Sequence, residues 1–375
     1  MINNEMNVLI LQGGGALGAY QAGAYCALHE NGYEPDWLAG ISIGAINSAL
    51  IAGNPPEKCV EKLEAFWNKV SSGKISRPML PGHLGRLLFS MSSAAEVATF
   101  GANGLFRPRL PPPVLFDPLG QEHALSYYDT SPLRETLLEL VDFERLNRGE
   151  PRISVGAVNV TSGNFLHFDS NKEALTPEHI MASATLPEGL PPIEIDGEWY
   201  WDASLVSNTP LQYVIDENAH VCNDMLLFQV DLFSAEGTMP TNILEVGRRL
   251  KDIRHSSQTR TITDIVKDTQ KIRAVVRRLM EKLPDESLSD EEHQLLSKWS
   301  CDAAITLVHL IYRQKHHELA SKDYEFSSLS MQEHWQAGIQ DIEHLLAQEE
   351  WINRQPQKDE VSVFDFNEIH PEPLV

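Results

Sequence analysis

The chain has 375 residues, of which 42% are apolar and 22% charged, and its formal net charge is −23. That length serves one large domain or one domain with an appendage, and the composition is globular rather than disordered or fibrous. The acidity is spread evenly, −11 over residues 1–210 and −12 over the rest, which excludes a protein built on non-specific nucleic-acid binding, since that needs clustered positive charge.

From the start, MINNEMNVLILQ lacks a basic n-region with a cleavable apolar core, and no stretch reaches the ~20 apolar residues of a membrane span. A soluble cytoplasmic protein is expected. Asn7–Gln12 is a short apolar run ended by three glycines and reads as a buried strand. Ala16–Glu30 reads as a helix, with Leu17, Tyr20, Ala24 and Leu28 on one stripe and Asn31-Gly32 as its stop. Trp37–Ile41 is a second apolar strand, and Ile43–Ala52 a helix buried on most sides. Strand–turn–helix, repeated, is the opening of an α/β fold with a mainly parallel sheet.

Glu57–Val70 is an amphipathic helix. From Ser71 to about Thr130 the chain turns rich in Pro, Gly and Ser, including RPRLPPPVLFDPLG (Arg107–Gly120). It keeps Leu84, Leu87, Leu88, Phe89, Met91, Phe100, Leu105 and Phe106, which argues against disorder. A cap over the site is expected there, with a structural wrap-around insertion as the alternative. Ser131–Leu140 is a helix with Pro132 in its first turn. Arg152–Val160 and Asn164–Phe168 suggest a hairpin, Pro177–Ala184 a short helix, and Gly197–Trp201 and Met225–Phe233 strands.

After residue 233 the reading is helical: Ile243–Leu283, Glu291–His317 and Met331–Asn353, then a polar, acidic, flexible tail after Gln355. Between Gly247 and Lys282 there are eleven Lys/Arg against four Asp/Glu. Ile262, Ile265, Val266, Ile272, Val276, Leu279 and Leu283 hold helical spacing along it. The plain reading is a charged face on a packed helix. The sharper one is a surface drawn to anionic headgroups, at the inner membrane surface, or to the protein's own acidic body. The cysteines, Cys26, Cys59, Cys222 and Cys301, form no C-x-x-C pair, so reduced, buried thiols are expected and neither a zinc site nor a disulfide framework.

Two motifs carry chemistry. LAGISIGAINSALIAG (Leu38–Gly53) contains Gly40, Ser42 and Gly44 as G-x-S-x-G. Between strand and helix such a serine sits in a tight turn where flanking side chains would collide with neighbouring backbone. The turn puts the hydroxyl at a helix N-terminus, which favours developing negative charge. LQGGGALGAYQAG (Leu11–Gly23) puts Gly13, Gly14 and Gly15 at the end of the first strand, where peptide N–H groups can converge on an oxyanion. The same stretch satisfies G-x-G-x-x-G through Gly13, Gly15 and Gly18. A dinucleotide site would then need a second strand ending in an acidic residue. LHENGYEPD is a poor strand, and the serine turn follows it. His167, His179 and His220 have no context that marks a catalytic base.

Together these features resemble the patatin-like phospholipases. That resemblance implies a Ser-Asp dyad with the aspartate in an Asp-Gly-Gly or Asp-Gly-Ala turn followed by Asn and Pro. YWDASLVSNTPL (Tyr200–Leu211) matches by position, with Asp202, Asn208 and Pro210. It covers about residues 6–233, so the expected organisation is a catalytic domain over 1–233 (cap at 71–130) and a helical C-terminal extension over 234–375. The fold implied is a three-layer α/β/α arrangement. Ser42 would be the nucleophile, Asp202 the general base, and Gly13, Gly14 and Gly15 the oxyanion hole, with no metal or cofactor and a lipid ester as substrate. Asp196 and Asp231 are rival bases, Asp196 reading equally well as a turn residue. Two positions depart from the family: Leu17 stands where a basic residue is frequent, and Ala203 where glycine follows the aspartate. Alanine there is strained if the position needs a positive φ. Two other functions stay open, a polyester depolymerase or acyl thioesterase using the same dyad, and a non-catalytic lipid- or partner-binding protein on this scaffold.

Overall fold

The computed structural model describes residues 5–73, 78, 80–110, 125–283, 288–297, 299–315 and 317–365. Its first strand, β1 (Met6–Leu11), shows how the layers arise. Val8 and Ile10 enter one apolar core, and Leu9 and Leu11 enter another on the opposite face. A strand buried on both faces needs helices on both sides of its sheet.

The chain continues through α1 (Gly18–Glu30), β2 (Trp37–Gly40), α2 (Ile43–Ala52), α3 (Pro56–Val70) and α4 (Gly82–Phe100). A short pairing of β3 (Arg107–Pro108) with β4 (Tyr128–Asp129) precedes α5 (Ser131–Leu140) and α6 (Phe143–Leu146). Then come β5 (Arg152–Asn159), β6 (Phe165–Asp169), α7 (Pro177–Ser183), β7 (Ile193–Ile195), β8 (Glu198–Asp202), α8 (Leu211–Val221) and β9 (Met225–Asp231). The remainder is α9 (Ile243–Met280), α10 (Asp290–Ser297), β10 (Ile305–Ile311), α11 (Ser328–Leu346), α12 (Glu349–Ile352) and β11 (Val361–Asp365).

The strand order is β11-β10-β9-β1-β2-β5-β8-β7, with β6 also on β5. From β11 to β5 all neighbours are parallel, while β6, β7 and β8 join antiparallel. Residues of α1, α2 and α11 pack into one core, and those of α8 and α9 into the other. The expected three-layer, mainly parallel α/β/α fold is therefore present. Because β2 lies on one side of β1 and β9 on the other, β1 marks a topological switch point, where the carboxyl ends of parallel strands leave a crevice.

Three expectations are corrected. Strands do not stop at residue 233: β10 pairs with β9, and β11 with β10. Residues 291–317 are thus not one helix, and part of the expected flexible tail is a strand. ITLVHLI in β10 is buried along almost its whole length, and a strand covered on both faces shows no alternation to separate it from a buried helix. Second, the Pro/Gly-rich composition of 71–130 hides the 19-residue helix α4 between Pro81 and Gly101. Residues 111–124, with most of the proline-rich run assigned to the cap, lie outside the described residues. So does 366–375, the end of the acidic tail.

Third, Cys222 and Cys301 form a disulfide, with Cα atoms 5.6 Å apart across 79 residues of chain. Cys222 caps α8 in the left-handed conformation before β9, and Cys301 precedes β10. The β9–β10 pairing brings them together, a contact no cysteine spacing reveals. Cys26 and Cys59 are free and buried, as expected. Several basic residues of α9 are used internally, as a charged face on a packed helix allows. Arg248, Arg249 and Arg277 donate to the carbonyls of Glu318, Ala235 and Cys301, and Arg273 is buried. Among the described residues, no helix is long and apolar enough to cross a membrane.

Candidate active site

Sheet register sets Ser42 and Asp202 at the same level, on strands flanking β5. Leu11 of β1 is level with Gly40 of β2, and Gly40 with Val155 of β5. Two residues further along β5, Ala157 is paired with Asp202 at the end of β8. Ser42, two residues past Gly40, leaves its strand at that same level. The Ser42 side chain lies near enough to the Asp202 carboxylate to oppose the rise of its pKa.

From Trp37 to Asn54 every residue is buried except Ser42. Its backbone, at φ 57° and ψ −122°, is the strained turn between β2 and α2, a conformation uncommon for a residue with a side chain. The flanking glycines are sterically required. A Cβ on Gly40 would lie 2.4 Å from the Gly44 carbonyl oxygen, and one on Gly44 would lie 2.2 Å from that of Leu11. The Ser42 N–H is held by Ser183 Oγ of α7 at 3.1 Å.

The glycine run bends across the top of β1. Asn208 grips Gly13 twice: its Nδ2 donates to the Gly13 carbonyl at 3.0 Å, and its own carbonyl accepts the Gly13 N–H at 3.3 Å. Gly13 therefore has its N–H engaged, whereas neither Gly14 nor Gly15 donates to another backbone carbonyl among the described residues. Gly14 and Gly15 are half-buried, and Gly13 before them lies against the Ser42 side chain. Leu17, where a basic residue was weighed, is a fully buried core residue.

Asp202 is 1% exposed. Burial pushes its carboxyl up from 3.8 to about 6, opposed by the nearby Ser42 side chain and by the backbone and side chain of Ser204. The Ser204 N–H donates to Oδ1 at 2.8 Å. Desolvation thus makes this aspartate a far better proton acceptor than a solvated one. Ala203 is not among the residues with positive φ, so the departure from glycine costs no strain.

The rivals fall elsewhere. Asp196 is exposed at the tip of the β7–β8 hairpin, at φ 52° beside Gly197 at φ 83°. Asp231 is buried under the glycine run, where burial pushes its carboxyl up to about 7. It accepts hydrogen bonds from Gln229 at 2.8 Å and from Thr209 at 3.4 Å, and Gln12 donates to the same Thr209. His179 sits at the N-terminus of α7, His167 stacks on Tyr213 with ring centroids 4.0 Å apart, and His220 ends α8 on the surface. Among the described residues no histidine is bonded to Ser42. Sequence reasoning missed Ser183 and a C-terminal residue, Asp323. The Asp323 carbonyl oxygen lies 2.0 Å from where a Gly15 Cβ would be. Nothing local in the sequence signals that contact.

A family profile described as patatin-like phospholipase matches residues 9–215. A second, described as patatin phospholipase, matches residues 253–358. The patatin-like phospholipase domain-containing protein ZK370.4 of Caenorhabditis elegans is 43% identical over 65 residues, which are 17% of this chain and 5% of that protein. Among solved structures, VipD from Legionella pneumophila aligns at 13% identity and a TM-score of 0.37, over 89% of this chain and 67% of its own. The type III effector protein ExoU aligns at 14% identity and a TM-score of 0.25, over 88% of this chain and 54% of its own.

Proposed function

Because the chain belongs to the patatin-like phospholipase family, we propose that it is a serine acyl hydrolase that cleaves lipid carboxylic esters by a Ser42–Asp202 dyad. The observation that carries this reading is the placement of Ser42, which is held out of a buried segment in a strained turn against Gly13 and lies near the buried carboxylate of Asp202.

The chemistry follows from that arrangement. Ser42 Oγ attacks the ester carbonyl carbon while Asp202 takes its proton. The carbonyl oxygen becomes an oxyanion, held by the N–H groups of Gly14 and Gly15 with help from the N-terminus of α2. Asp202 then gives the proton to the leaving alkoxide, and the alcohol departs from an acyl-serine. Water, deprotonated by Asp202, attacks the acyl carbon, and Ser42 is reprotonated as the acid is released. In this scheme Gly13 shapes the loop through Asn208 rather than donating to the oxyanion.

The test is hydrolysis of a short-chain chromogenic ester, followed by a lipid-product screen of wild type against Ser42→Ala. Wild type should be active, and Ser42→Ala and Asp202→Asn should each lose at least about 1000-fold in kcat. Full activity in Asp202→Asn would remove the dyad from consideration.

A further inference from the structure

The back of the glycine loop is built by the C-terminal third of the chain. The 3-10 turn Lys322–Tyr324 packs on the 3-10 turn Gly15–Leu17. Gly15, at φ 55°, receives the Asp323 carbonyl against its α-carbon so closely that no side chain fits between them. Gly14 is backed by Leu232 and Phe233. The Phe233 ring is in turn enclosed, with His255 of α9 stacked at 4.7 Å and the Lys322 ammonium 5.1 Å from the ring centroid.

One ion pair ties these pieces together. Lys322 Nζ bonds Asp252 Oδ1 of α9 at 2.7 Å, with side chains only 2% and 7% exposed. A second, more open pair joins Lys251 Nζ to Asp323 Oδ1 at 2.6 Å, and the same ammonium donates to the Ala320 carbonyl at 2.8 Å. Burying a Lys–Asp pair costs desolvation, and its directional bonds hold two elements in one relative position. The hydrolytic chemistry uses none of these groups. Their contacts run from α9 through the 322–324 turn and Phe233 to Gly14 and Gly15.

We propose that Lys322 and Asp252 are positioning residues for the oxyanion loop, so that the C-terminal third of the chain is part of the catalytic unit. The proposal rests on the hydrolase reading above. Oxyanion donors act only when aimed at the developing charge, and a small displacement lowers transition-state binding more than substrate binding. Loosening the turn should therefore lower kcat and leave KM nearly unchanged.

The experiment uses the full chain. Active sites are titrated with a fluorophosphonate. Then kcat per titrated site, KM for a chromogenic ester, and Ki for an alkyl trifluoromethyl ketone, whose serine adduct carries an oxyanion, are measured. Lys322→Met and Asp252→Asn should each lower kcat per site by about 10- to 100-fold, with the Ki/KM ratio rising in parallel. Lys251→Met, which leaves no deeply buried charge, should fold and lower kcat about 3- to 10-fold with the same rise in Ki/KM. If Lys322→Met and Asp252→Asn fail to fold, Lys251→Met decides. Fewer titratable sites with unchanged kcat per site and unchanged Ki/KM would mean ordinary structural support and overturn the proposal. Wild type no more active than Ser42→Ala would overturn the hydrolase reading, and this proposal with it.

Discussion

Acidification should switch the enzyme off near pH 6 and not near pH 4. Asp202 must be ionised to accept the Ser42 proton, and burial pushes its carboxyl from 3.8 up to about 6. At pH 5 about a tenth of such a group is ionised, whereas an unburied aspartate would be more than about nine-tenths ionised. The acid limb of kcat/KM for a chromogenic ester should therefore fall about 10-fold between pH 7 and pH 5. The same shift has a stability consequence of fixed sign. The folded state keeps this proton from about pH 4 to pH 6 while the unfolded chain releases it, so stability is lost as pH rises through that window. The loss is about 3 kcal/mol at pH 8, from 1.36 kcal/mol per unit of pKa. Asp202→Asn should be inactive yet more stable than wild type in urea at pH 8, with the difference vanishing near pH 4. Asp231, raised to about 7 by its own burial, could imitate the acid limb, so the profile is repeated in Asp231→Asn, where the limb should stay near pH 6. A limb below pH 4.5, or one that disappears in Asp231→Asn, would refute the assignment of the base.

Gly44→Ala should destabilise the protein by about 1–3 kcal/mol and lower the titratable active sites, because the new methyl meets Leu11 beside the glycine run. A thermal melt and fluorophosphonate titration read both effects. Reducing the Cys222–Cys301 disulfide, or replacing both cysteines by serine, should cost about 4 kcal/mol for a loop of this length in the chain-entropy picture. An unchanged urea midpoint would show that the cross-link does not restrain the unfolded chain. Arg254, Arg260, Arg278 and Lys282 are exposed on or just after α9. If this surface meets a membrane, reversing all four to Glu should weaken sedimentation with anionic vesicles at low salt by at least about 10-fold. No change would leave the basic helix a purely internal device.

The order of motifs along the chain was enough to point to the fold family and the Ser42 turn, and the family resemblance it carried singled out Asp202 as the proposed partner. Each depends on short-range rules that residues obey locally. An apolar run ended by glycines is a strand meeting a tight turn, and G-x-S-x-G admits no side chain where Gly40 and Gly44 touch backbone. Composition was a weaker guide. It hid α4 among prolines and glycines, and it assigned helix to ITLVHLI, because a strand buried on both faces carries no period of its own.

What remained for the tertiary structure was everything set by contacts between distant segments. Gly13 has its N–H turned onto Asn208, which leaves Gly14 and Gly15 as the proposed oxyanion donors. The pKa of Asp202 depends on how deeply β8 is covered, which no pattern around Asp202 encodes. Cys222 meets Cys301 only because β10 lies beside β9, and Asp323 reaches Gly15 only because the C-terminal third folds back over the carboxyl ends of the strands. Local sequence specifies turns and periods, but burial and long-range contact are properties of the packed chain.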